Sequence, residues 1–146
     1  MYKRVLLPLD GSKLAERALP HAIAQAQGFG ARLVLLRVAE TIPHAPGVSA
    51  ADLERVKRQI VTWAQEYLER VTEQVQEQGV QVESAIVEGR PNVEITRFAE
   101  ASSIDLIVLS SRGRSGFSRW LLGSVADRVV RGATVPVLLV RVETLH

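Results

Sequence analysis

With 146 residues, 47% of them apolar and 23% charged, the chain has the balance of a globular domain long enough to bury a substantial core. Formal net charge is only +2, and acidic residues are scattered through the basic stretches, which argues against nucleic acid as the partner. The absence of cysteine excludes disulfides, thiolate catalysis and cysteine-ligated metal sites. No apolar run approaches the roughly 20 residues that span a bilayer, and the opening segment meets Asp10 too soon for a signal-peptide hydrophobic region. One cytoplasmic domain over residues 1–146, without membrane association, is the expectation.

Strand and helix patterns then alternate along the chain. Val5-Leu6-Leu7-Pro8-Leu9 reads as a buried strand. Residues 13–27 follow as a helix with Ala15, Ala18, Leu19, Ala22, Ile23 and Ala26 on one face, bent locally at Pro20 and ended by Gly28 and Gly30. A second strand spans 32–38. The segment from Glu40 to Gly47, with Pro43 and Pro46, leads to the longest helix, 50–78. Its start carries Ser49 and Asp52 as a capping pair, and Gly79 fits its stop. Leu53, Val56, Ile60, Trp63, Ala64, Tyr67, Val71 and Val75 recur at spacings of three and four, which assigns Trp63 and Tyr67 to a core-facing stripe. Phe98, in the next helix, is read in the same way.

Residues 80–87 alternate in polarity, as a strand near a sheet edge does. Pro91 opens a helix to about Ser102, because proline suits a first helical position. The apolar run 105–109 is a fourth strand and 135–140 a fifth, with Pro136 marking a strand start or an edge. The order β-α-β-α-β-α-β-α-β with short connections predicts a doubly wound α/β parallel sheet. Ligands of such sheets lie at the carboxyl ends of the strands, near a topological switch point.

Two segments meet that requirement. Asp10-Gly11-Ser12 ends the first strand, where a carboxylate at a ribose or a metal–phosphate group competes with a plain turn capped by Ser12. The fourth strand runs into Ser110-Ser111-Arg112-Gly113-Arg114-Ser115-Gly116 and on to Gly123-Ser124-Val125 at a helix start. Glycines let a backbone approach an anion, and N–H groups at a helix N-terminus point at it. Arg112, Arg114 and Arg119 add forked donors suited to phosphate. The loop has neither the P-loop nor the Rossmann glycine pattern, so phosphate binding here uses another geometry. Gly113 and Gly116 are equally compatible with a tight turn. His21, His44 and His146 fall in no catalytic or metal-ligand spacing. His21 is expected to pack on its helix and the other two to be solvated.

Three segments resemble the universal stress protein family. Val5-Leu6-Leu7-Pro8-Leu9-Asp10-Gly11-Ser12 is similar to its opening strand and turn, and Val87-Glu88-Gly89-Arg90-Pro91 to its turn into a helix. Gly113, nine intervening residues and then Gly123-Ser124 resemble the latter part of the family's G-x-x-G-x9-G-[ST] ATP-binding signature. The first glycine of that signature is Ser110 here, whose Cβ excludes any conformation that only glycine adopts, and whose hydroxyl could act as an added donor. The resemblance implies a sheet ordered 3-2-1-4-5, a Rossmann-like nucleotide-binding fold, and a homodimer through Val137-Leu138-Leu139-Val140-Arg141. It further implies ATP, accompanied by Mg2+ or Mn2+, with Pro8 and Asp10 on the ribose and adenine side. The backbone of Val38 would meet the base, and Gly113, Gly123 and Ser124 the phosphates. The expected function is a nucleotide-dependent regulatory homodimer acting on a downstream protein in the stress response. The alternatives are a nucleotide-free dimeric interaction module and a slow ATP hydrolase with Asp10 as its one nominated carboxylate.

Overall fold

The computed structural model describes residues 1–112 and 122–142. Its centre is a five-stranded parallel sheet of β1 (Arg4–Pro8), β2 (Arg32–Glu40), β3 (Val82–Gly89), β4 (Leu106–Ser110) and β5 (Val137–Val140), ordered β3-β2-β1-β4-β5. The order expected from the resemblance is the order observed. Chain direction reverses across the sheet after β3, so β1 and β4 lie side by side and the crevice between their carboxyl ends is a switch point.

Continuous apolar strands are a consequence of covering both faces. Val5, Leu7, Leu33, Leu35 and Val108 turn to one side, where they pack with Ala22 and Ile23 of α2 (Leu19–Phe29) and Leu68, Val71 and Val75 of α3 (Ala50–Glu77). Leu6, Val34, Leu36, Ile107 and Leu109 turn to the other. They meet Ile95 and Ala99 of α4 (Pro91–Ala101) and Ala126 and Val129 of α5 (Ser124–Gly132). Alternation of side chains along each strand therefore builds two cores from one apolar run. The edge strand β3 carries only partly buried and exposed residues, as its alternating pattern predicted. It runs over 82–89 rather than 80–87, and β2 continues two residues past 38, to Glu40.

The first helical segment departs from expectation. A short α1 (Lys13–Glu16) stops, and α2 restarts at Leu19 with Pro20 in its first turn. Proline in mid-helix would clash with the carbonyl four residues back and lacks the N–H to bond it, so the chain breaks instead of bending. The apolar face survives the break: Ala15, Ala18, Leu19, Ala22, Ile23 and Ala26 are all buried. Gly30 then caps α2 in the left-handed conformation, at φ +63°. Helix α3 begins where Ser49 Oγ accepts from the Asp52 N–H at 3.1 Å. Pro91 opens α4, and β5 begins immediately after Pro136 and lies at an edge.

At the amino ends of the strands, opposite the switch-point crevice, the Glu83 carboxylate lies 2.5 Å from Arg4 Nη2 and 3.3 Å from Arg32 Nη1. Burial alone would raise the Glu83 pKa, but hydrogen bonds and charge from Arg4 and Arg32 outweigh it and hold the carboxyl below its ordinary value. Arg4 and Arg32 are register partners on β1 and β2, so removing the carboxylate leaves two like charges opposite each other. Glu83→Gln is expected to cost about 0.5–1 kcal/mol, because the cluster is partly solvent-exposed and screened. A depressed folded-state pKa stabilises above the ordinary carboxylate pKa of about 4.3 and stops doing so as pH falls through the folded value. The wild type–variant stability difference, measured by urea denaturation, should therefore be present at pH 7 and shrink with acidification below about pH 4.

Candidate functional site

The carboxyl ends of β1, β2 and β4 open into a cavity of about 540 Å³, within the usual range for small-molecule sites. Its floor is built by strand ends. Pro8 and Asp10 come from β1 and the residues after it, Arg37 and Val38 from β2, and Leu109 and Ser110 from β4, with Arg112 just beyond. Gly123, Ser124, Val125 and Ala126, the first turn of α5, close one side. Thr41, Ile42 and Pro43 after β2, with Ile60 and Trp63 of α3, close the other.

Eight residues nominated from sequence thus share one cavity: Pro8, Asp10, Val38, Ser110, Arg112, Gly123, Ser124 and Val125. Gly113, Arg114 and Gly116, together with Arg119, Trp120 and His146, lie outside the described residues. His21 is exposed rather than packed, and His44 is exposed as expected.

The turn after β1 is held locally. Asp10 Oδ1 accepts from the Ser12 N–H at 2.8 Å, and Ser12 Oγ accepts from the Ala15 N–H at 3.1 Å. The cap reading of this turn holds, since Ser12 caps α1, and Asp10 lines the cavity. Gly11 between them has φ +84°, and a Cβ there would run into the Arg37 guanidinium. The positive φ favours glycine at this position, and a larger residue would also displace the end of the Arg37 side chain.

The turn after β4 is tied down from three directions. The Ser111 N–H donates to the Val140 carbonyl at 2.8 Å, the Gly123 N–H donates to the Ser111 carbonyl at 2.8 Å, and the Val142 N–H donates to Ser111 Oγ at 2.9 Å. These bonds bring the start of α5 back beside the end of β4, although ten residues separate Arg112 from Gly123. Ser110 is resolved by the same geometry. Among the described residues the only non-glycine at positive φ is Ser103, so position 110 does not demand glycine. The Ser110 hydroxyl donates to the Arg112 carbonyl at 2.6 Å, which uses its single proton within the turn and leaves none for a ligand.

Two features at this end of the cavity are unbalanced. Arg112 is only 3% exposed, yet its two terminal nitrogens, Nη1 and Nη2, have no hydrogen-bond partner among the described residues. A buried guanidinium without an acceptor is costly. Helix α5 begins at Ser124 after Gly123 as N-cap, with no capping side chain among the described residues, and its first turn lines the cavity. Both features present donors and positive potential to one volume, the arrangement that receives an anion.

The opposite end is aromatic and apolar. Trp63, assigned to the core from its spacing, is 60% exposed and forms part of the cavity wall. Tyr67 and Phe98 are partly buried against the two cores, as expected. Arg37 lies 5.4 Å from the Tyr67 ring centroid and Arg70 lies 5.8 Å from it. Burial, followed by the negative charge of Glu16, pushes the Tyr67 hydroxyl pKa up, with Arg37 opposing, so the phenol stays protonated. Arg37 was missed from sequence. Its one signal was a charged residue near the carboxyl end of an otherwise apolar central strand.

A parallel sheet of order 3-2-1-4-5 with a switch-point cavity that is cationic at one end and apolar at the other defines an α/β fold of the nucleotide-binding type. The chain belongs to the universal stress protein family, whose sequence model matches residues 1–141. Universal stress protein MJ0531 of Methanocaldococcus jannaschii is 36% identical over 141 residues, covering 97% of this chain and 83% of the relative. Among solved structures, universal stress protein UspA from Lactobacillus plantarum superposes with a TM-score of 0.86 at 27% identity, covering 96% of this chain and 98% of that one. A universal stress protein crystallised in complex with cAMP matches with a TM-score of 0.63 at 26% identity, covering 96% and 97%.

Proposed function

We propose that the chain binds ATP in this cavity and acts as a nucleotide-dependent regulatory homodimer in the stress response. The observation that carries the reading is the buried Arg112 guanidinium, whose terminal nitrogens have no acceptor among the described residues, beside the start of α5, which no described side chain caps. A polyphosphate supplies the missing acceptors. In this reading Arg112 and the N–H groups of Ser124 and Val125 receive phosphate oxygens, while Pro8 and Asp10 border the ribose and Val38 meets the base through its backbone. Gly113, Arg114 and Gly116 are proposed as further phosphate contacts on the sequence pattern alone. The cAMP complex of a family member supports a nucleotide as the ligand class.

Mg2+ or Mn2+ is compatible with this donor set only as a companion of the phosphates. No group of three or more His, Cys, Asp or Glu side chains gathers among the described residues, and Asp10 and Glu40 are the two carboxylates on the cavity wall. Homodimerisation is supported by β5, an edge strand paired on one side only, whose four residues are all partly buried. Regulation follows if nucleotide prefers one of two conformations of the dimer.

The test is to denature the purified protein, assay the released small molecules by mass spectrometry, and measure the native mass by sedimentation. Released adenine nucleotide and a particle of twice the chain mass are expected. A nucleotide-free preparation that also ignores added ATP at millimolar concentration sinks the ligand assignment, and a monomer sinks the dimer.

A further inference from the structure

Helix α3 is too long for the sheet it covers. Its 28 residues span about 42 Å, whereas the eight-residue β3 it leads into spans about 26 Å. Its buried side chains, Ala64, Leu68, Val71 and Val75, all fall in the carboxyl half. The amino half therefore extends past the strand ends, beside the cavity. Ile60, Trp63 and Tyr67 share one flank of the helix, at spacings of three and four. Tyr67 sits against Arg37 of the cavity wall, and Trp63, one turn further toward the helix start, reaches the wall itself.

We propose that Trp63 is a stacking platform for the base of the bound nucleotide, at the end of the cavity opposite Arg112. The proposal rests on the nucleotide reading above and assigns it a residue that the signature motifs do not contain. Three observations converge on it. Trp63 is 60% exposed, so its indole is not needed by either core. The same wall carries the apolar Ile42, Pro43 and Ile60 next to Thr41. Finally, β2 and β4 flank β1 about two strand spacings, roughly 10 Å, apart, which puts the segment after β2 and Arg112 after β4 on opposite sides of the cavity. A ligand that is anionic at one end and planar at the other, with a sugar between, matches that separation. Stacking on tryptophan suits any base, because every base presents a π face.

The experiment is calorimetric titration of wild type, Trp63→Ala and Trp63→Phe with Mg-ATP. Trp63→Ala is expected to weaken ATP binding about tenfold, and Trp63→Phe to stay within about threefold of wild type because a flat ring is retained. Melting temperature should be unchanged in both, since the side chain is largely exposed. Wild-type binding that Trp63→Ala leaves within twofold overturns the stacking role and leaves the nucleotide reading standing. Equal losses in the Ala and Phe variants overturn it too, because a retained flat ring would then fail to hold the base, as stacking requires. No wild-type binding of millimolar ATP overturns both.

Discussion

Arg112→Met is expected to weaken ATP binding by about a hundredfold while leaving the protein as stable as the wild type or more stable. The two effects have one cause. Arg112 is buried, and its terminal nitrogens have no acceptor among the described residues, so in the proposed reading the unliganded protein carries a desolvated charge there. Methionine has similar length and fills the same space without that charge. Replacing an unpaired buried ion by an apolar side chain is neutral or stabilising. With a polyphosphate bound, the same guanidinium makes two charge-assisted hydrogen bonds, each contributing about 1.5–3 kcal/mol, so their joint loss amounts to a hundredfold or more. Calorimetric titration with Mg-ATP and thermal melting of the unliganded protein measure the two effects separately. A variant that melts much lower while binding ATP normally would mean that Arg112 is a structural ion whose acceptor belongs to the protein.

Gly123→Val is expected to reduce ATP affinity at least as severely, through shape rather than charge. Gly123 caps α5 with φ −59° and ψ 153°, a conformation open to any residue, so valine is not excluded by the backbone. The side chain it adds stands at the mouth of the helix, over the N–H groups of Ser124 and Val125 that the phosphates are proposed to meet. Glycine is a better N-cap than valine, so a stability cost of about 1 kcal/mol is anticipated. The sheet and both cores should be untouched, because Gly123 contributes no side chain to either. Loss of binding with near-native melting supports phosphate approach at this helix start, and unchanged affinity moves the phosphates elsewhere. Glu83→Gln is the matched control. It perturbs the far end of the sheet and should leave ATP affinity as it is.

Much of this architecture is legible in sequence because the cores impose period and polarity. Four apolar runs and one alternating segment became five strands, and the apolar face of 13–27 was buried residue for residue. The errors arise where local pattern does not encode tertiary extent. Pro20 marks a discontinuity, but whether a helix bends or restarts depends on what its next turn packs against. Trp63 has core-like spacing, yet periodicity does not say where the sheet beneath a helix ends. Past that point the same stripe faces a cavity instead of a core. Arg37 was hidden for a related reason: a charge in an apolar strand looks like an interruption until the strand end is seen to line the cavity beside Gly11. Ser110 illustrates the reverse. Its replacement of a signature glycine looked like a possible loss of function, and the turn shows that the backbone there never needed glycine.

The most direct measurement is a calorimetric titration of the wild-type protein, stripped of any bound small molecule, with Mg-ATP. Saturable binding at one site per chain, weakened in parallel by Arg112→Met and Gly123→Val by about a hundredfold or more and retained by Glu83→Gln, is the predicted result. Absence of heat and of any shift in melting temperature at millimolar Mg-ATP would contradict it and leave the cavity without its proposed ligand.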